Sequence, residues 1–390
     1  MTLTAPFPYP GGKSRVAREV WARFGDVPNF VEPFFGSGAV LLARPEPWHG
    51  TETINDADGL VSNFWRALQA DPDAVAHHAD WPVNENDLHA RHIWLVNNRK
   101  GLTERLEGDP DWYDARAAGW WVWGCCCWIG AGWCAGNGPW NTAVNEDGEN
   151  VITNTGDGVN RKRVHLGNAG QGVKRQLVHL GGGRGVKRQL VHLRDAGQGV
   201  NRQLVHLRDA GQGVNRQLVA AGDGDAEHEC PECGTGTCGL LCWMKALSRR
   251  LERVRVCSGD WSRVCGPTPT FLQGLTGVFL DPPYSADAGR DMGMYAVDCG
   301  QVAHDVRAWC EENGDNPLLR IALCGYSGEG HDGLTDRGWT AWEWRATGGY
   351  GNQGNGSGRE NATREVIWFS PHCLPANQPR LMFDTEEVRA

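Results

Sequence analysis

Phe30-Val31-Glu32-Pro33-Phe34-Phe35-Gly36-Ser37-Gly38-Ala39-Val40-Leu41-Leu42 is the stretch on which the fold turns. Asn29 to Glu32 reads as the end of a buried strand. Gly36 and Gly38 form a turn that brings backbone close to a ligand, and Ala39 to Ala43 opens a helix. In an open α/β sheet such a turn stands at the carboxyl end of its strand, where cofactors bind. Many tight turns share a lone Gly-x-Gly, so its neighbours must decide what it holds.

A second strand ends at Thr53-Ile54-Asn55-Asp56, which places Asp56 twenty residues past Gly36. A carboxylate there accepts both hydrogen bonds of a ribose diol. Asp56 alternatively caps a helix over Leu60 to Leu68. No Gly-x-Gly-x-x-Gly cradle for a pyrophosphate is present. A nucleoside cofactor without a pyrophosphate, such as S-adenosylmethionine, therefore fits better than a dinucleotide.

The apolar run Gly277 to Leu280 reads as another strand, delivering Asp281-Pro282-Pro283-Tyr284 at its carboxyl end. Two prolines stiffen that loop and remove two backbone donors. What remains is acceptor-rich: carbonyls, a carboxylate and a phenol ring. An exocyclic amino group is a donor, and Asp281 with the Pro282 carbonyl would each take one N–H. Positive charge growing on the attacking nitrogen would be stabilised more than the ground state. Tyr284 offers a flat face for a base drawn out of a duplex. The bland alternative is a strand-end turn with Tyr284 packed.

In this order the motifs resemble the Dam-like adenine-N6 DNA methyltransferases. The resemblance covers about residues 5–75 and 245–370. It rests on Tyr9-Pro10-Gly11-Gly12-Lys13, Glu32 to Gly38, Asn55-Asp56, Val256-Cys257-Ser258-Gly259-Asp260-Trp261 and Asp281 to Tyr284. It implies an α/β class I methyltransferase fold: a doubly wound, mostly parallel seven-stranded sheet. Leu319 to Cys324 would precede a final antiparallel hairpin of Trp339 to Arg345 and Glu365 to Phe369, joined by a loop over Gly348 to Asn361.

For the site, the resemblance implies Asp281, Pro282, Pro283 and Tyr284 as catalytic. It implies Tyr9, Gly12, Lys13, Glu32, Pro33, Phe34, Gly36, Ser37, Gly38, Asp56, Asp260 and Trp261 around the cofactor. Lys13 would stand near the cofactor or the active-site entrance, or be a surface lysine on a turn. Glu32 would pair with the cofactor's ammonium or cap the glycine turn. Asp260 would hold the adenine amino group or begin a helix. N4-cytosine methylation uses the same amino chemistry and is the near rival. A catalytically silent DNA-binding protein on this fold is the more distant one.

The expected organisation is a first catalytic segment at 1–80, an inserted target-recognition region at 81–245, a second catalytic segment at 246–375 and a tail at 376–390. The middle carries units beginning at Val159, Val173, Val186, Val200 and Val214, spaced 13 to 14 residues apart. Gln203 to Leu207 suits a short β-like strand, and Arg208 to Gly213 has turn chemistry. Disorder that resolves on DNA is the competing expectation for this basic repeat at 158–221. The chain's net charge is −9, yet residues 159–219 carry twelve Lys or Arg against Asp195 and Asp209, leaving −19 elsewhere. Such a basic segment is an electrostatic footprint for a polyanion, or else a solvated linker. Arg175, Arg188, Arg202 and Arg216 are its candidate phosphate contacts. The repeated His165, His179, His192 and His206 suit repeat packing better than metal binding.

Fourteen cysteines include Cys230, Cys233, Cys238 and Cys242, a candidate structural zinc site within the Cys-rich stretch 228–242. The spacing is tight and irregular, and Cys242 alternatively belongs to a helix over Leu240 to Arg250. Trp120 to Trp123 and Trp128 are expected in the core, and Asn137 to Asn141 in a loop near DNA. The stretch Trp120 to Cys134 is apolar but short for a membrane and interrupted by Gly124, Gly130 and Gly132. The expectation is a soluble protein of a prokaryotic-type cytoplasm, working on double-stranded DNA as a monomer or weak dimer, with no nuclease motif in the chain.

Overall fold

The computed structural model describes residues 3–9, 11–128, 133–134, 142–144, 150–152, 239–284, 301–344 and 364–376. The repeat at 158–221 with Arg175, Arg188, Arg202 and Arg216, the residues Cys230, Cys233 and Cys238, and the loops at 137–141 and 348–361 lie outside the described residues.

The centre is a seven-stranded sheet, mostly parallel, with the order β5-β2-β1-β6-β7-β9-β8. Its strands are β1 (Asn29–Glu32), β2 (Thr51–Asp56), β5 (Val254–Ser258), β6 (Thr276–Leu280), β7 (Leu319–Tyr326), β8 (Thr340–Glu343) and β9 (Glu365–Phe369). β3 (Thr142–Val144) and β4 (Asn150–Ile152) form a separate antiparallel pair. β1 pairs in parallel with β2 on one side and β6 on the other. β9 runs antiparallel to both β7 and β8, as the sequence suggested for the final hairpin. Every residue of β1, β6 and β9 is buried, which accounts for continuous apolar runs rather than alternation.

The α-helices among the described residues are α1 (Ala17–Phe24), α2 (Ala39–Leu42), α3 (Gly59–Ala70), α4 (Pro72–Ala79), α5 (Glu85–Gly108), α6 (Ala115–Cys127), α7 (Leu240–Leu251) and α8 (Val302–Asn313). Their starts follow capping chemistry: Asp58, Asp71, Asn84 and Asp114 each accept a backbone N–H from the first turn of the helix that follows. The cap of α3 is Asp58, so the alternative role of Asp56 as that cap is corrected. The Asp56 carboxylate is instead taken by two other amides, from Gly36 and Asp58.

Two long helices occupy a stretch that has no clean period in the sequence. The α5 helix buries Leu88, Arg91, His92, Leu95, Leu102 and Leu106. Polar side chains share its buried face, which blurs the apolar pattern. Arg91 lies against the rings of Trp81, Trp120 and Trp123. The α6 helix runs straight through Gly124, which the sequence reading took for an interruption, and buries Trp121, Val122 and Trp123. Trp120 is half-buried, and Trp128 is buried beyond the helix end.

Both helices are tied to α3. Asn63 exchanges two hydrogen bonds with the Asp114 backbone, at 2.9 and 2.8 Å, and Arg66 donates to the carbonyls of Leu106 and Trp112. Buried Glu52 of β2 is held between Arg44 and Arg250, which links the strand to α7. Among the described residues, no helix is long and apolar enough to cross a membrane.

Candidate active site

The chain order reverses between β1 and β6, and the loops leaving their carboxyl ends diverge around a cavity of about 210 Å³. A crevice at such a switch point is where open α/β sheets bind ligands. The glycine turn, the end of β2, the Gly259–Trp261 turn after β5 and the Asp281 corner after β6 all open into it.

The glycine turn is built by backbone geometry. Gly36 and Gly38 have φ of 48° and 71°, a region that side chains disfavour. A Cβ on Gly36 would lie 2.7 Å from the Tyr9 ring, and one on Gly38 would lie 2.7 Å from the Phe35 ring. Glu32, 2% exposed, accepts from Leu41 N at 3.2 Å and so caps the helix that follows the turn. Burial pushes its carboxyl well above the usual range.

Asn55 and Asp56, at the end of β2, organise both flanking walls. Asn55 Nδ2 donates to the Pro33 and Gly259 carbonyls at 3.1 and 2.9 Å. The backbone carbonyls of Asn55 and Asp56 accept from Phe35 N and Gly259 N. Asp56 Oδ2 accepts from Gly36 N at 2.9 Å. Burial raises the Asp56 carboxyl to about 7, against the opposing pull of that amide. Buried Asn55 Oδ1 has no hydrogen-bond partner among the described residues.

Asp260 accepts from Ser262 N and starts a 3-10 turn over Trp261–Val264, which realises the helix-start alternative. The Phe34 and Trp261 rings both line the cavity, 6.2 Å apart between centroids and 28° from parallel.

The Asp281 corner holds Lys13, which the resemblance placed near the cofactor or the active-site entrance. Lys13 is 4% exposed, which corrects the surface-lysine alternative. Its Nζ lies 2.8 Å from Asp281 Oδ1, 2.7 Å from the Gly11 carbonyl and 5.5 Å from the Tyr284 ring centroid. Burial alone would depress the ammonium, but Asp281 and then Glu365 raise it overall, so it stays charged. Burial raises the Asp281 carboxyl, and Lys13 opposes that rise. Tyr284 is 7% exposed and packs edge-on against Tyr326 at 4.4 Å.

The structure thus gathers Tyr9, Gly12, Lys13, Glu32, Pro33, Phe34, Gly36, Ser37, Asp56, Asp260, Trp261, Asp281 and Pro283 around one cavity. Gly38, Pro282 and Tyr284 stand behind its wall: Gly38 packs on Phe35 and Trp65, and Pro282 and Tyr284 are buried. Glu365 and the Asn55 side chain are the partners that sequence reasoning missed. The signals were present as an acid opening an apolar strand and an amide beside the strand-end aspartate. Cys242 is buried on α7. No cluster of three or more possible metal ligands occurs among the described residues.

A mostly parallel seven-stranded sheet with this turn at its switch point is consistent with the class I methyltransferase fold. Residues 9–102 match the family model of D12 class N6 adenine-specific DNA methyltransferase, consistent with the Dam-like family that the motifs resemble. The match supports DNA adenine-N6 methyltransferase activity, with DNA as the substrate. Methyltransferase families use S-adenosylmethionine in general. No curated protein matches the chain.

Proposed function

We propose that the chain methylates the N6 amino group of adenine at specific sites in duplex DNA, on a base flipped out of the helix and by direct in-line attack. The observation that carries this reading is the opening of Asp281 into the same cavity as the glycine turn and Asp56.

The residues fit S-adenosylmethionine. Gly36 keeps a cradle open that a Cβ would fill, and Asp56 offers a carboxylate for a ribose diol. Phe34 and Trp261 offer ring faces for a purine, and Asn55 Oδ1 is a buried acceptor without a partner among the described residues. When bound, the group supplies a sulfonium methyl. Everything else falls to the chain. Asp281 and the Pro282 carbonyl accept the two N–H bonds and aim the nitrogen lone pair. The fixed carboxylate stabilises the charge that grows on the nitrogen. No covalent enzyme intermediate is needed. Tyr284 stands behind the cavity wall, so it becomes a platform for the flipped base, offsetting part of an unstacking cost of a few kcal/mol, once that wall opens on DNA.

Recognition of DNA falls to residues 81–245, with the repeat arginines gripping phosphates. The catalytic segments are 1–80 and 246–375.

The test is transfer of labelled methyl from S-adenosylmethionine to mixed-sequence duplex DNA, followed by digestion to nucleosides. N6-methyladenine is expected, and N4-methylcytosine would replace this reading by its near rival. Asp281→Ala should lower transfer by roughly a hundredfold or more while leaving cofactor affinity within about threefold. Transfer at the full rate would sink the catalytic assignment.

A further inference from the structure

Glu365 opens β9 opposite Tyr326 of β7, and the four residues after it are apolar and buried. A carboxylate 6% exposed at the head of such a strand needs a partner. It has one: Tyr284 Oη donates to Glu365 Oε2 at 2.8 Å. The same phenol oxygen lies at a longer 3.4 Å from Asp281 Oδ1. Two carboxylates therefore flank one phenol, which has one proton to give. The shorter contact goes to Glu365.

The competition matters because Asp281 has a limited set of acceptor positions. Lys13 already uses Oδ1 at 2.8 Å. A phenol swung onto Asp281 would take a further lone pair beside it and screen the carboxylate from a second donor. The Tyr284 ring cannot simply leave, because Tyr326 packs against its edge at 4.4 Å and Lys13 stands 5.5 Å from its centre. With Glu365 removed, the hydroxyl would have Asp281 as its remaining acceptor in this network.

The geometry points to Glu365 as a positioning residue that draws the Tyr284 hydroxyl away from Asp281, keeping the acceptor positions of Asp281 open for the target amino group. This rests on the catalytic assignment proposed above for Asp281. It predicts a result that mere structural support would not give. Removing the phenol hydroxyl should rescue the loss of Glu365.

The experiment measures kcat for labelled methyl transfer to mixed-sequence duplex DNA at saturating S-adenosylmethionine, with melting curves as a check on folding. Glu365→Ala should lower kcat roughly tenfold or more. The double variant Glu365→Ala with Tyr284→Phe should be faster than Glu365→Ala alone. Glu365→Gln keeps a carbonyl acceptor and the side-chain volume, so it should fold and fall between wild type and Glu365→Ala.

A second readout is independent of turnover. In protein labelled with 3-fluorotyrosine, the 19F resonance lost in Tyr284→Phe should shift in Glu365→Gln. An unmoved resonance overturns the proposal whatever the activity. So does a kcat of Glu365→Ala within about twofold of wild type, or a double variant no faster than the single. Full activity of Asp281→Ala in the same assay would instead overturn the reading beneath it.

Discussion

Lys13 Nζ stands 2.8 Å from Asp281 Oδ1, and both residues line the same cavity. An ammonium there has the donor character that a target amino group must bring. The ion pair opposes the burial that raises the Asp281 carboxyl, and the arriving amino group must share the carboxylate with it.

Lys13→Met removes that counter-charge. Burial then acts on Asp281 unopposed by Lys13, so its carboxyl rises further and takes a proton at higher pH. Only the ionised carboxylate accepts both ways, so activity is lost as pH falls through that value. The acid limb of the kcat profile should therefore move to higher pH in the variant. A profile that moves to lower pH, or stays in place, would contradict the pairing.

Asp56 gives a second pH dependence. Its carboxyl is raised by burial to about 7, above the ordinary 3.8. Below about 7 the folded chain favours the protonated form. The stabilising share of Asp56 is whole below the ordinary value and fades as pH rises toward 7. Cofactor binding should run the other way, because a ribose diol donates to the carboxylate. The dissociation constant for S-adenosylmethionine should rise as pH falls from 8.5 to 6. Asp56→Asn should bind more weakly at pH 8 and show a flatter response, as read by calorimetric titration.

Asn55→Ala removes the amide that joins the Pro33 and Gly259 carbonyls. Each lost bond leaves a carbonyl to find another donor, and the expected cost is about 1–3 kcal/mol of stability. The two walls of the cavity would loosen together. KM for S-adenosylmethionine should rise several-fold while kcat at saturation stays within about twofold. A fall in kcat with unchanged KM would show that Asn55 acts on the methyl transfer step instead.

The basic repeat is tested by salt. Replacing Arg175, Arg188, Arg202 and Arg216 with Gln should weaken DNA binding at every sequence alike. If all four contact phosphates, the slope of log affinity against log salt should flatten by roughly three to four. An unchanged slope would place the phosphate-gripping surface elsewhere.

What could be read in the sequence follows from where the constraints lie. β1, the glycine turn, β2 and the Asp281 corner were legible because glycine, proline and short apolar runs restrict the backbone locally. The helices α5 and α6 were not. The buried face of α5 includes Arg91 and His92, and Gly124 inside α6 resembles a breaker. The resemblance placed Lys13 near the cofactor or the entrance, but its partner Asp281 lies 268 positions along the chain and only the fold brings the two together. Glu365 lies 81 residues from the phenol that explains its burial. Asp56 and Asp58 are two residues apart and both polar, and only the geometry of the α3 start assigns the cap to Asp58.

The strand order β5-β2-β1-β6 seats the two earliest strands of the chain between strands that come more than 195 residues later. Neither portion owns the complete sheet, because the β1–β6 and β2–β5 ladders each join one to the other. Expressed apart, each would present bare strand edges that only the other satisfies, so cleavage within the intervening stretch should yield two pieces that reassemble or precipitate rather than two independent modules. Competence for the cofactor is in this sense a late event in synthesis, since the Gly259 wall must be made before Asn55 can join it to Pro33.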